Sequence, residues 1–184
     1  MQVISRARAG DRQAFAALFE QYKNLVYKTA YLMLGDAAAA EDALQEVFVR
    51  MHRSLGDYDP RQAAFTTWLH RLTLNHCLNC KRKVRPAVLS LDEAVEQTAE
   101  PNPSAGWIEQ AWVHQAVLNL SAKQRAVIVL RFYWELSYDE IAQVLDVPLG
   151  TVKSRLDLAL KTLRSTLASD QESSPALPWQ AEVL

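Results

Sequence analysis

The sequence is poor in glycine, in cysteine and in long apolar runs, and these shortages exclude several classes of protein. It has 184 residues, among them five glycines and two cysteines. No apolar run approaches the roughly 20 residues that a membrane-spanning helix needs. The first residues, MQVISRARAGDRQAF, lack the apolar segment of a secretory signal. We therefore expect a cytoplasmic protein with no membrane insertion.

The two cysteines, Cys77 and Cys80, form a single CxxC pair. A zinc site needs further ligands at defined spacing, and the adjacent His76 is expected to project from a different face of the same helix. An enzyme or redox protein built on this pair is the alternative, but it lacks an activating partner and a cluster of acid and base groups. The sequence thus predicts no catalytic residue, no metal site and no cofactor.

Charge is distributed unevenly along the chain, although the net charge is only −1. The segment Arg61–Leu91 contains six Lys and Arg residues and no Asp or Glu, which leaves the rest of the chain about seven charges negative. A local excess of positive charge of this kind indicates an anionic partner at one place on the surface.

The segment Leu136–Arg164 has the pattern of a helix-turn-helix. Ser137 can cap the first helix, and Glu140 can reach back to it, which gives a capping box. Asp146 stands where the chain reverses, a place that needs a residue tolerant of positive φ. Pro148 prevents the first helix from continuing. Two short helices with a tight turn between them follow from this spacing.

The second of these helices is predicted to be amphipathic. Its apolar residues fall on one face at spacings of three and four: Val152, Leu156, Ala159, Leu163 and Leu167. Thr151, Ser154 and Arg155 therefore point outward. Hydroxyl groups and a cation at the start of a helix suit contacts with phosphates and base edges in a major groove. The alternative is a helical hairpin with a solvated charged face.

Helical spacing of apolar residues continues along most of the chain. It covers Asp11–Met33, Ala37–Leu55, Phe65–Val84, Trp107–Leu120 and Ala122–Trp134. The stretch 86–106 is acidic and contains prolines, which is typical of a linker. We predict an all-α chain of two small helical domains joined by a flexible linker, with the helix-turn-helix in the C-terminal one. The boundaries are 1–85, 86–106 for the linker, 107–168, and 169–184 for a tail predicted to be disordered.

The order of these segments resembles the extracytoplasmic-function (ECF) group of bacterial RNA polymerase sigma factors, from about Phe15 to Leu167. Ala40–Arg53 is similar to the helix that binds the polymerase clamp, and Phe65–Lys83 is similar to the segment that reads the minus-ten promoter element. Leu136–Leu156 is similar to the reader of the minus-thirty-five element. The three similarities occur in the family's order.

The resemblance implies a role for one face of the clamp-binding helix, although such a face alone is more typical of a solvated surface. The core-polymerase-binding residues implied there are Asp42, Gln45, Glu46 and Arg50. It also implies a role for the helix Phe65–Val84, which we call the basic helix. The loop before Phe65 and the helix start, with Phe65, Thr66 and Thr67, would cradle a flipped non-template base. Trp68, by its place on the apolar stripe, is predicted to be core.

Residues farther along the basic helix have the charge and the hydrogen-bonding groups needed to bind melted DNA. Unpaired bases must be held by stacking or pocket contacts while cations follow the phosphates. Lys81, Arg82 and Lys83 can supply these cations, and the Asn75 amide can both donate to and accept from a base or backbone.

The recognition helix departs from the family pattern after Ser154 and Arg155. Asp157 and Leu158 stand where relatives usually continue with arginines, and Leu158 lies on the outward face. We expect weaker or differently selective minus-thirty-five contact. The residues predicted to make this contact are Thr151, Lys153, Ser154, Arg155, Lys161 and Arg164.

The implied function is that of a sigma factor, without catalytic activity, which directs core RNA polymerase to promoters and helps to melt the minus-ten element. The implied partners are the clamp coiled coil and the flap of the polymerase's large subunits, promoter DNA and an anti-sigma factor, with no small-molecule substrate. When bound to polymerase, the protein would be associated with the nucleoid. The acidic linker resembles the segment that threads toward the polymerase active centre, and a plain tether is its alternative. The alternative function is a conventional helix-turn-helix regulator that binds duplex DNA alone.

Overall fold

The computed structural model describes residues 2–84 and 113–173, with side chains described as far as residues 80 and 168 in the two parts. The first part is a bundle of four helices with a short 3-10 turn, Leu55–Asp57, before the last of them. The four are α1 (Gln2–Arg8), α2 (Arg12–Leu34), α3 (Ala37–Ser54) and α4 (Phe65–Val84). Three follow the predicted periodicity, whereas the seven-residue α1 was not predicted.

The second part contains the helix-turn-helix. Residues 113–119 form α5. Three further helices follow, namely α6 (Ala122–Ile128), α7 (Tyr138–Leu145) and α8 (Leu149–Ser173). No strand occurs in either described part, which confirms the all-α prediction. No helix described is both long enough and apolar enough to cross a membrane.

Polar caps and a left-handed residue set the ends of α2 and α3. The Asp11 carboxylate accepts hydrogen bonds from the backbone N–H groups of Gln13 and Ala14, at 2.9 and 3.1 Å, and so begins α2. Gly35, at φ 80°, ends α2, and the Asp36 side chain caps α3 immediately afterwards. The chain therefore reverses within two residues, and α2 packs closely along α3.

The helix predicted over Ala122–Trp134 is not continuous. It changes after Ile128 into a π-helical segment, Val129–Tyr133, which ends with a hydrogen bond from the Trp134 N–H to the Val129 carbonyl at 3.2 Å. The wider turn leaves Phe132 and Tyr133 exposed. It also directs Trp134 toward α2, where the indole N–H donates to the hydroxyl of buried Thr29 at 2.9 Å.

The buried apolar residues form two groups. One lies entirely among α1–α4 and includes Leu18, Val47 and Leu69. The other begins between α2 and α4 and continues into the helix-turn-helix, so that Met33 and Leu130 belong to one cluster. The two helical regions therefore share apolar packing across the linker.

Polar contacts reinforce this shared packing. Arg125 is 2% exposed, and its guanidinium donates to the carbonyl oxygens of Met33 in α2 and of Leu118 and Leu120 nearby. Burial lowers the pKa of Arg125, and the surrounding carbonyl groups take the place of the water that the cation has lost. Leu118 also fills the space where a side chain at Gly35 would stand, 2.8 Å from an added Cβ.

Candidate nucleic-acid interface

The turn of the helix-turn-helix has the predicted geometry. The Glu140 carboxylate accepts hydrogen bonds from the Ser137 N–H and hydroxyl at 2.8 and 2.7 Å, and the Glu140 N–H donates to the Ser137 hydroxyl. These bonds lower the pKa of Glu140. Asp146 ends α7 at φ 54°. Both the capping box and the left-handed turn residue are confirmed.

One side of α8 is buried, and the exposed sides carry mainly polar residues. Val152, Leu156 and Ala159 are 0, 6 and 0% exposed and pack into the shared cluster. The six residues predicted to contact the minus-thirty-five element all retain exposure. Lys153, Ser154, Lys161 and Arg164 are exposed, and Thr151 and Arg155 are partly exposed. Their contact with DNA stays a prediction.

The start of α4 differs from the prediction at one residue. Phe65 was predicted to help cradle a base, but it is 6% exposed, with its ring 5.1 Å from that of Tyr22 and 5.6 Å from that of Trp68. The Phe65 ring is therefore packed in the interior, beneath the exposed start of α4. Thr66 is exposed and Thr67 partly exposed. These two hydroxyls stay candidates for base contact.

The loop before α4 is held by a buried tyrosine that sequence reasoning missed. The Tyr58 hydroxyl donates to the Ala63 carbonyl at 3.0 Å, and burial raises the pKa of Tyr58. Asp59 pairs with Arg61 at 3.0 Å, and hydrogen bonds from Arg61 lower the pKa of Asp59. The loop therefore presents a cation, Arg61, beside the start of α4.

Asn75 is exposed on α4, and Arg71 lies one turn before it on the same side. The Arg71 guanidinium contacts the Asp146 carboxylate of the helix-turn-helix at 2.9 Å. Sequence reasoning did not select Arg71, although its spacing of four from Asn75 within the basic segment could have indicated it. The backbone of Lys81, Arg82 and Lys83 continues α4, and their side chains lie outside the described residues.

The predicted polymerase-facing residues share one side of α3. Asp42 and Gln45 are exposed, and Glu46 forms an ion pair with Arg50 at 2.9 Å. The hydrogen bond from Arg50 lowers the pKa of Glu46. Gln45 also borders a groove of about 560 Å³ between α2 and α3. The other residues that line the groove are Phe15, Phe19, Phe48, Val49, His52 and Arg53.

His76 and Cys77 lie on different faces of α4, and His76 shares its face with Cys80. His76 lies beside Cys80, with its Nε2 3.3 Å from the Cys80 Sγ, because residues four apart share a helix face. Cys77 is fully buried. In the parts of the chain that the structure describes, no three His, Cys, Asp or Glu side chains come together to hold a metal ion.

Comparison with known proteins agrees with this architecture. The family described as Sigma-70 region 2 matches residues 18–86, and Sigma-70, region 4 matches residues 110–163. The ECF RNA polymerase sigma factor SigW of Bacillus subtilis is 32% identical over 177 residues, covering 89% of this chain and 94% of SigW. The RNA polymerase sigma-H factor of Pseudomonas aeruginosa is 31% identical over 179 residues, covering 90% of this chain and 92% of that protein.

A solved structure extends the similarity to the arrangement of helices. CnrH, in its complex with the cytosolic domain of CnrY, matches with a TM-score of 0.69 and 25% identity, covering 91% of this chain and 96% of CnrH. A helical bundle followed by a helix-turn-helix with a polar recognition face is the architecture of a sigma-70-type initiation factor. The chain belongs to the ECF group of RNA polymerase sigma factors. It directs transcription initiation together with core RNA polymerase.

Proposed function

We propose that each of three surfaces of this sigma factor has one partner. The α3 face formed by Asp42, Gln45, Glu46 and Arg50 binds the clamp coiled coil of core polymerase. The outward face of α8 binds the minus-thirty-five duplex, and the start of α4 with its preceding loop holds bases of the melted minus-ten element. The observation that carries the promoter role is the polar face of α8. It lies opposite the buried residues Val152, Leu156 and Ala159, which fix the orientation of the helix.

The two DNA-facing regions separate when the protein binds a promoter. The two elements are about 25 base pairs apart, which is roughly 85 Å along B-DNA. A compact chain of this length has a radius of gyration of about 16 Å and cannot reach both. The 28 residues 85–112 can span at most about 90–100 Å. Their length is therefore sufficient for the helix-turn-helix to leave α4 while the chain stays connected.

Separation also frees a cation for DNA. In the packed arrangement, the Asp146 carboxylate forms an ion pair with the Arg71 guanidinium, on the side of α4 that carries Asn75. A phosphate oxygen can replace that carboxylate once the halves part, because both are anionic acceptors for the same fork of N–H donors. Arg71 thus joins the residues proposed to follow the minus-ten backbone.

We also propose a regulatory partner and a cellular location for this sigma factor. An anti-sigma factor is a proposed partner, since the sigma factor RpoE of Bartonella quintana, which shares this fold, is seen in complex with the anti-sigma factor NepR. We assign the protein to the cytoplasm, with association to the nucleoid through polymerase. It has no catalytic activity of its own, because sigma factors act as non-enzymatic initiation factors.

Titration of labelled full-length chain with core polymerase tests the α3 assignment. Exchange of Asp42 and Gln45 for arginine places two cations on the face and should weaken binding at least tenfold. The matched control is Glu20→Arg, which changes the charge of an exposed residue on α2. Equal binding by the wild-type chain and both variants would contradict the assignment. Tight duplex binding without any binding of core polymerase would favour a conventional regulator.

A further inference from the structure

One large apolar side chain of α8 takes no part in the core. Leu158 is 56% exposed, whereas its neighbours Leu160 and Leu163 pack against the buried cluster. Its position therefore has no explanation in the stability of the fold. The backbone carbonyl oxygen of Leu158 accepts a hydrogen bond from the Thr162 hydroxyl at 3.0 Å. The group that Leu158 presents to a partner is therefore its apolar side chain.

Leu158 lies among the residues proposed to contact DNA. An α-helix has about 3.6 residues per turn, so Leu158 follows Thr151 by almost two turns and lies one turn beyond Ser154 and Arg155. Those three residues lie on its N-terminal side, on the same side of α8, away from the buried stripe. A recognition helix placed in a major groove with Thr151 and Arg155 toward the bases also turns Leu158 toward them.

The charges beside Leu158 favour contact with a base over contact with phosphate. The Asp157 carboxylate pairs with the Lys161 ammonium at 2.9 Å, and both side chains are about two-thirds exposed at 66 and 67%. Asp157 thus reduces the positive charge available to phosphates next to Leu158. This turn of α8 therefore has little positive charge for the DNA backbone, and the surface that it presents is mainly apolar.

We propose that Leu158 selects a thymine in the minus-thirty-five element by packing against its C5 methyl group, an inference that rests on the proposed contact of α8 with that element. The thymine methyl is the one apolar group that a base pair presents in the major groove. A leucine can distinguish it from cytosine, which lacks the methyl, and from the polar edges of purines. Specificity at this position comes from apolar packing and not from a hydrogen bond.

The test removes the methyl group alone. Full-length chain and core polymerase form the holoenzyme, and selection from promoters with a randomised minus-thirty-five region identifies the preferred element. Each thymine of that element is then replaced in turn by deoxyuridine, and equilibrium binding is measured. One replacement should weaken binding by the wild-type holoenzyme about fourfold, the effect of one buried methyl group. With Leu158→Ala, the same replacement should have no effect.

Two further variants sharpen the result. Phe132→Ala removes another exposed apolar side chain, outside α8, and should keep the full sensitivity to deoxyuridine. Leu158→Arg should change the selected base at that position from thymine to guanine, since arginine pairs with the guanine edge. If no deoxyuridine position distinguishes the wild type from Leu158→Ala, the inference is wrong although the sigma function stands. If the holoenzyme selects no element at all, the proposed function fails first.

Discussion

At the scale of single residues, the sequence predicts side chains that act locally and misses those whose role depends on distant neighbours. Asp146 was predicted at a turn that needs positive φ, and it has φ 54°. Phe65 was assigned to DNA, but rings from α2 and the preceding loop enclose it. Arg71 was overlooked because its ion pair joins residues on different helices. Periodicity along one helix contains no information on such partners.

A charge change on α8 should alter the salt dependence of promoter binding. Asp157→Asn removes the partner of Lys161, so the ammonium becomes free to contact a phosphate. The plot of log binding constant against log salt concentration should steepen by up to about 0.9, the value for one additional phosphate contact. Asp57→Asn gives the same change in charge at an exposed site of the 3-10 turn and should leave the slope unchanged. Equal slopes for both variants would show that Asp157 does not keep Lys161 from contacting a phosphate.

At the scale of elements, helix ends defined by caps were predicted well, and departures from helical geometry were not. The capping box of α7 agrees with the sequence. The π-helical segment Val129–Tyr133 was read as ordinary helix, because its apolar pattern shows no interruption. The wider turn directs Trp134 toward Thr29, which is 105 residues away in sequence. Only the packed structure brings these two residues together.

Loss of the capping box should destabilise α7 measurably. Ser137→Ala removes an acceptor for the Glu140 N–H and a donor to the Glu140 carboxylate, which should cost about 1 kcal/mol of unfolding free energy. Gln143→Ala, an exposed change within the same helix, should alter stability by less than about 0.5 kcal/mol. Denaturant unfolding of the full chain measures both. Equal stability of the two variants would show that the cap adds little.

At the scale of the whole molecule, the sequence predicts two helical regions and a linker but not their shared packing. Met33 and Leu74 of the first region are buried together with Leu130 and Ile141 of the second. Composition and periodicity predict that each of these four residues is buried. They do not predict which of the two buried clusters it joins. The packed arrangement places α4 beside the helix-turn-helix, and under the proposed function the two must separate when the chain binds a promoter.

The boundary between the two regions should respond to acid. His70 is buried with its ring 5.1 Å from that of Trp134, and burial lowers its pKa to about 4 from 6.5. Because the unfolded chain binds a proton at higher pH than the folded chain, stability is fully present above pH 6.5 and is lost as the pH falls toward 4. The loss attributable to His70 should total about 3 kcal/mol.

Urea unfolding at pH 7 and at pH 5 measures this dependence. His70→Phe keeps an apolar ring beside Trp134 but cannot bind a proton, so its unfolding free energy should fall less between the two values than that of the wild type. The difference between the two proteins isolates His70 from the carboxylates that titrate in the same range. An identical fall in both would show that His70 does not control the acid response.

Promoter-specific transcription tests the account as a whole most directly. Core RNA polymerase is supplied with genomic fragments from the protein's own source, with and without the full-length chain, and abortive and run-off products are mapped. We predict new start sites that depend on the chain and are lost when Lys81, Arg82 and Lys83 are changed to alanine. No chain-dependent transcript and no co-elution with core polymerase, together with tight binding to a duplex fragment, would contradict the account.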